Sequence, residues 1–211
     1  MKYVSIAIKT TGQDTEYSQV LSIEAIVDDL EVQKPLTMLP RFYVYLSYPR
    51  IMGSPFALSL HTEILKKLAE NPFPMTLEDI RQRDADSKKY IDIVVDGRST
   101  IPSILFRSFL KENGYDNDGD IDERGRIHFI PAGEKFDLFD RVFLKSLPGF
   151  VNQVCMEHRC LDPWILYLKP GEVHVNPNQI NNAFSTIKLL REKWTRGVGF
   201  VVSPCGSLSI N

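Results

Sequence analysis

Short runs rich in β-branched residues open the chain. Residues 3–9, beginning Tyr3-Val4-Ser5-Ile6-Ala7-Ile8, and residues 20–27, Val20-Leu21-Ser22-Ile23-Glu24-Ala25-Ile26-Val27, flank the turn-prone segment Thr11-Gly12-Gln13-Asp14. This pattern predicts two strands of a hairpin. Between Arg41 and Leu46, Phe42, Val44 and Leu46 alternate with Tyr43 and Tyr45, which predicts a third strand with one apolar face. Helical spacing follows. Ser59 or Thr62 is placed to cap a helix carrying Ile64, Leu65 and Leu68, and Asn71-Pro72 ends it. Ser99 or Thr100, then Pro102, precede a second helix with Ile104, Leu105, Phe109 and Leu110 that stops at Asn113-Gly114. Proline in the first turn and glycine past the end is the usual helix asymmetry. Arg126 to Ile130 reads as a strand. Phe136, Phe139, Phe143 and Leu147 share one helical face, as do Ala183, Phe184, Ile187, Leu190 and Trp194. Strands first and alternation later predict an α/β domain with a mixed central sheet and helices packed on it.

Composition narrows the class. The chain has 211 residues, 43% of them hydrophobic, and 25 basic against 27 acidic side chains. That length favours one domain, expected over 1–194, with a tail over 195–211. A net charge of −2 argues against a protein whose main task is to grip a duplex by its phosphates. The tail carries an apolar run, Gly197-Val198-Gly199-Phe200-Val201-Val202, suited to docking on a sheet edge of its own chain or of a partner. The strand pattern begins at once, so no signal peptide is expected, and no apolar run reaches the ~18 residues of a membrane span. A cytoplasmic location without membrane contact follows as the expectation. Cys155, Cys160 and Cys205 are too few and too scattered for a disulfide framework and are read as reduced thiols.

Several local clusters invite chemistry and decline it. In Asp116-Asn117-Asp118-Gly119-Asp120-Ile121-Asp122-Glu123, taking Asp116, Asp118 and Asp120 as calcium ligands puts Ile121 where the turn glycine belongs and Ile127 where the bidentate acid belongs. A solvated loop is the better reading. Arg81, Arg83, Lys88 and Lys89 are interrupted by Asp84 and Asp86 and contain no stacking aromatic, so they read as a mixed surface rather than a nucleic-acid site. His61 and His158 stand alone. Tyr43, Tyr45 and Tyr48 leave an outward set suited to a protein interface.

One constellation spans the chain. Ser5-Ile6-Ala7-Ile8-Lys9-Thr10-Thr11-Gly12 resembles the opening motif of the DEDD-type (DnaQ-like) 3′-to-5′ exonucleases of the ribonuclease H-like superfamily, where Asp-Ile-Glu-Thr-Thr-Gly stands. Gln19 to Ala25 resembles the second strand of that family. Gly133-Glu134-Lys135-Phe136-Asp137-Leu138-Phe139-Asp140-Arg141-Val142-Phe143-Leu144 resembles its second motif. Cys160-Leu161-Asp162-Pro163 and Asn181-Asn182-Ala183-Phe184-Ser185-Thr186 are similar to its Leu-Asp-Pro element and its third motif, His-Asp-Ala-x-x-Asp. Phage-encoded members carry this order most closely, which makes a phage or similar mobile element the expected source. The resemblance implies a ribonuclease H-like fold in which four carboxylates hold two divalent metals and a histidine acts as general base.

The residues at those positions depart from the pattern. Ala7 and Lys9 replace the first two acids, Asn181 the histidine and Thr186 the last acid; Asp140 alone keeps a carboxylate. Together the four former metal positions carry no net formal charge. A divalent ion ~4 Å from the Lys9 ammonium would be repelled by about 8 kcal/mol at an effective dielectric near 20. Lys9 is expected to fill the vacated metal position and pair with Asp140. The leading expectation is therefore a pseudoenzyme with no catalytic residues, metal or cofactor, acting as an adaptor through a protein partner. A non-cleaving single-stranded nucleic-acid binder is the second reading. A divergent metal nuclease is the third, with its site rebuilt from Asp137 on the same predicted helix as Asp140, or from Asp14, Glu24 or His174.

Overall fold

The computed structural model describes residues 1–83, 89–163 and 182–195. Strands β1 (Lys2–Thr10), β2 (Val20–Asp29), β3 (Arg41–Ser47), β4 (Ile91–Asp96) and β6 (Pro131–Ala132) form a five-stranded sheet in the order β4-β3-β2-β1-β6. β1, β2 and β3 are antiparallel neighbours, whereas β4 runs parallel to β3 and β6 parallel to β1. The sheet is mixed, as the hydrophobic pattern predicts. Strands β5 (Ile127–Phe129) and β7 (Val154–Met156) pair parallel in a separate two-stranded sheet. The chain therefore changes sheets at Ile130, within the single strand expected over 126–130.

Both faces of the central sheet are covered. Val4, Ile6 and Ile8 of β1, Ile23 and Ala25 of β2, and Phe42, Val44 and Leu46 of β3 point to the larger core. Against it pack α3 (Leu77–Gln82) through Ile80, α4 (Ile101–Glu112) through Leu105, Phe106 and Phe109, α5 (Asp140–Ser146) through Phe143, and α6 (Phe150–Gln153) through Phe150. On the other face α7 (Ala183–Thr195) lays Ala183, Ile187 and Leu190 over Tyr3 and Ile26, while α2 (Thr62–Glu70) places Leu68 beside Leu21 and Val94. Burial on two sides explains why β2 reads as a continuous apolar run rather than an alternation.

Several expectations change here. The helix expected after Ser59 or Thr62 is α2, which ends at Asn71; a further short helix, α1 (Pro55–Leu60), capped by Ser54, precedes it and meets it at His61. Strand β4 and helix α3 lie where no element was expected. The helix expected through Phe136 and Phe139 begins only at Asp140, because Lys135 adopts a φ of 51° and Phe139 is also non-helical. Tyr45 is not outward: it packs beside Leu68 under α2, 4.9 Å ring-to-ring from Tyr43, and Tyr48 donates to the Val20 carbonyl. No described helix is long and apolar enough to cross a membrane. Lys88, Asp84, Asp86, His174, Asn181, Cys205 and the run Gly197–Val202 lie outside the described residues.

Candidate functional site

Two helices leave a gap on one face of the sheet. α7 covers the end of β1 near Tyr3 and Ser5, and α2 covers the far side near Tyr45; between them the inward set is Ala7, Lys9, Ser22, Glu24, Arg41 and Tyr43. These residues line a cavity of 370 Å³ together with Asn182. A second cavity, of 160 Å³, shares Ala7, Lys9 and Asn182 and adds Glu134, Phe139, Asp140 and Thr186. The fold thus gathers Ala7, Lys9, Asp140 and Thr186, which lie far apart in sequence, around one small space.

Each is positioned for a local reason. β6 pairs with β1 only at Val4 and Ser5, so the edge of β1 beyond them needs other partners. Asp140, the first residue of α5, supplies one by accepting the Ile8 amide at 3.0 Å. Gly133 makes the approach possible: a Cβ there would lie 3.0 Å from the Ile6 carbonyl oxygen. The segment is tied down again where Gly133 donates to the Leu161 carbonyl and the Lys135 amide to Asp162 at 2.9 Å. Asn182 caps α7, its side-chain oxygen accepting the Ser185 amide at 3.0 Å, and Thr186 is buried one turn further on. The Ser5 hydroxyl donates to the Ala183 carbonyl and fixes the helix start over β1.

Burial dominates the electrostatics. It pushes the Asp140 carboxyl up to about 7, against the Ile8 amide and the Lys9 charge, which pull it down; Glu134 pushes it further up. Lys9 and Asp140 line the same cavity, and the Lys9 charge favours the ionised form of the Asp140 carboxyl. The Lys9 charge also reaches His61, whose pKa is lowered by burial and then by Lys9.

The acids considered for a rebuilt metal site go elsewhere. Asp137 sits in the turns before α5 rather than on that helix, and its carboxylate accepts Nε of Arg141 at 2.5 Å. That guanidinium continues to the carbonyls of Met156 and Glu157, so Asp137 serves the junction of the two sheets. Glu24 faces the larger cavity, but one oxygen accepts Arg41 at 3.1 Å and the other the Ala183 amide at 3.3 Å. Arg41 in turn lies 4.3 Å over the Phe184 ring. Asp14 accepts the Glu16 amide in the β1–β2 turn and lines a different groove. Among the described residues no group of three or more His, Cys, Asp or Glu is arranged to hold a metal ion. Sequence reading overlooked Glu134, Arg41 and Asn182 as site residues. Register was the available signal: Glu24 stands opposite Ala7 and Tyr43 opposite Glu24, so whatever Ala7 faces, they and their neighbours face too.

Chemically, the smaller cavity offers one amine, two carboxyls of which one has its pKa raised to about 7, two small side chains and an amide. It can hold a proton or a polar group, and it lacks the concentrated oxygen anions that Mg²⁺ requires. A scan of the chain against protein-family models matches none, and no curated protein matches it either.

Proposed function

We propose that this chain is a catalytically inactive, exonuclease-like protein of ribonuclease H-like architecture and phage origin that works as an adaptor by contacting another protein. One observation carries the reading. Around the 160 Å³ cavity, the positions that resemble the four metal-binding acids are Ala7, Lys9, Asp140 and Thr186. At those four positions an amine and a single carboxyl, its pKa raised by burial to about 7, replace the four anions on which two-metal hydrolysis depends. The mixed sheet supports the architectural part of the proposal, as does the meeting of the 133–140 segment with Leu161 and Asp162 through the Ala132–Leu161 bridge and the Lys135–Asp162 hydrogen bond.

Recovery of the full chain from the cell that makes it, with whatever accompanies it, tests the reading. A protein retained in stoichiometric amount, with no oligonucleotide binding at low salt, is the expected result. The neighbouring cavity, with Lys9, Arg41 and Tyr43, favours the second reading, a non-cleaving binder of single strands, because cations beside an aromatic ring suit phosphates and a stacked base. Steeply salt-dependent oligonucleotide binding without a protein partner would establish that reading instead.

A further inference from the structure

An open groove of about 800 Å³ runs beside the candidate site, sharing Phe139 with it. One wall is α1, a six-residue helix with no buried residue; the other is the turn between β1 and β2. The groove is lined by Phe56, Tyr17, Leu60 and Met52, which are 74%, 71%, 63% and 50% exposed. A monomer seldom leaves so many large apolar side chains around one depression unless something covers them.

The walls are built to hold their shape without the groove being filled. The Ser54 amide donates to the Thr11 carbonyl at 2.9 Å, the Met52 amide to the Gln19 side chain at 2.9 Å, and the Gln19 amide to the Thr11 hydroxyl at 2.8 Å. Gly53 is pressed so close to Thr11 that any Cβ would strike its side chain and carbonyl. A binding surface held this way loses little conformational entropy when occupied.

Two features define the occupant. The backbone groups at the junction of the walls are spent on each other, so a guest cannot join by adding a strand and must satisfy its own backbone, as a helix does. The acidic side chains on the lining, Asp14 and Glu16, have no Lys or Arg beside them in it, and His61 is held toward its neutral form. That rim repels phosphates and attracts cations.

We propose that this groove receives an amphipathic helix of a partner protein, its apolar side chains set between Phe56, Leu60, Met52 and Tyr17 and its flanking Lys or Arg residues facing Asp14 and Glu16. The inference rests on the adaptor reading above and names its contact surface.

The full chain is panned against a display library of random peptides about four helical turns long, and the enriched peptides are then measured against variants. Enrichment of sequences with apolar residues at i, i+3 or i+4 and basic flanks is expected. Phe56→Ser and Leu60→Ser should each weaken them about tenfold or more. Glu16→Lys, on an exposed side chain, should weaken the same peptides without altering the circular dichroism spectrum, which separates loss of contact from loss of fold. No enrichment, enrichment of acidic flanks, or undiminished binding to Phe56→Ser overturns the proposal. So does competition by a single-stranded oligonucleotide, or self-association of the chain that Phe56→Ser abolishes, which would make the guest a second copy. A natural partner retained equally by the parent chain and Phe56→Ser would remove the groove and leave the adaptor reading standing; recovery of no partner by either would remove that reading itself.

Discussion

Asp140 holds a carboxyl in a place where water does not stabilise its charge, and pH therefore acts on the fold through it. Its ordinary value of 3.8 rises to about 7 on folding. Below about pH 4 the group is protonated in both states and contributes nothing to the pH dependence. Between about 4 and about 7 the folded chain keeps a proton that the unfolded chain releases, so stability falls as pH rises, by about 1.4 kcal/mol for each pH unit crossed. Above that window the loss is complete. Asp140→Asn keeps an acceptor for the Ile8 amide and removes the titration. The variant is expected to be more stable than the parent near pH 8, by a few kcal/mol, with the gap closing toward pH 4; a gap of the same size at both ends would contradict the account. Lys9→Glu asks the converse question. It sets another carboxylate beside Asp140 and Glu134, so the melting temperature should drop in chelator and recover in Mg²⁺ or Mn²⁺. An unchanged melting temperature with no ion response would show that Lys9 does not balance this cavity. At this scale the sequence was informative about identities and silent about partners. The exchanges Ala7, Lys9 and Thr186 could be read directly. That Asp137 is taken by Arg141 depends on backbone conformation at Lys135 and Phe139, where no residue type signals the break.

Among the elements, α7 is held by more than its apolar face. Arg191 reaches the fully buried Asp28 side chain with two nitrogens, at 2.5 and 3.0 Å, and Tyr3 donates to the same carboxylate at 2.6 Å. Removing either ion leaves the other buried without its counter-charge. Arg191→Ala or Asp28→Ala should cost roughly 3–5 kcal/mol in chemical denaturation, whereas truncating the exposed Arg81–Glu78 pair should cost under about 1 kcal/mol. Equal effects of the two pairs would contradict the assignment. The contact between the β1–β2 turn and the 52–54 segment is similarly specific. Gly53→Ala should destabilise the chain by about 1–3 kcal/mol through the clash with Thr11, while Gly119→Ala, with nothing near it, should be close to neutral. Element type was legible where one face alternates or one stripe repeats: β1, β3, α4 and α7 lie where periodicity put them. It failed for β4, whose Ile93, Val94 and Val95 are all buried in a run too short to distinguish from a loop flanked by polar residues. It failed also at 126–132, where one apolar stretch serves two sheets and only three-dimensional pairing reveals the change.

The whole molecule combines a scaffold able to gather distant residues with a gathering point whose charges do not suit metal-assisted hydrolysis. The balance of 25 basic and 27 acidic residues conceals this, because it says nothing of position. Acids cluster in the 116–123 loop and on the rim of the apolar groove, while the cavity at β1 holds the Lys9 amine, Glu134 and the Asp140 carboxyl, whose charge burial disfavours. This charge placement supports the proposed contact with a basic, apolar protein segment. The most direct measurement is release of nucleotides from 3′-labelled single-stranded DNA and RNA by the purified chain in Mg²⁺ and in Mn²⁺. The account predicts no release above the buffer control, and no difference between the parent and Asp140→Ala. Metal-dependent release of mononucleotides that Asp140→Ala abolishes would contradict it.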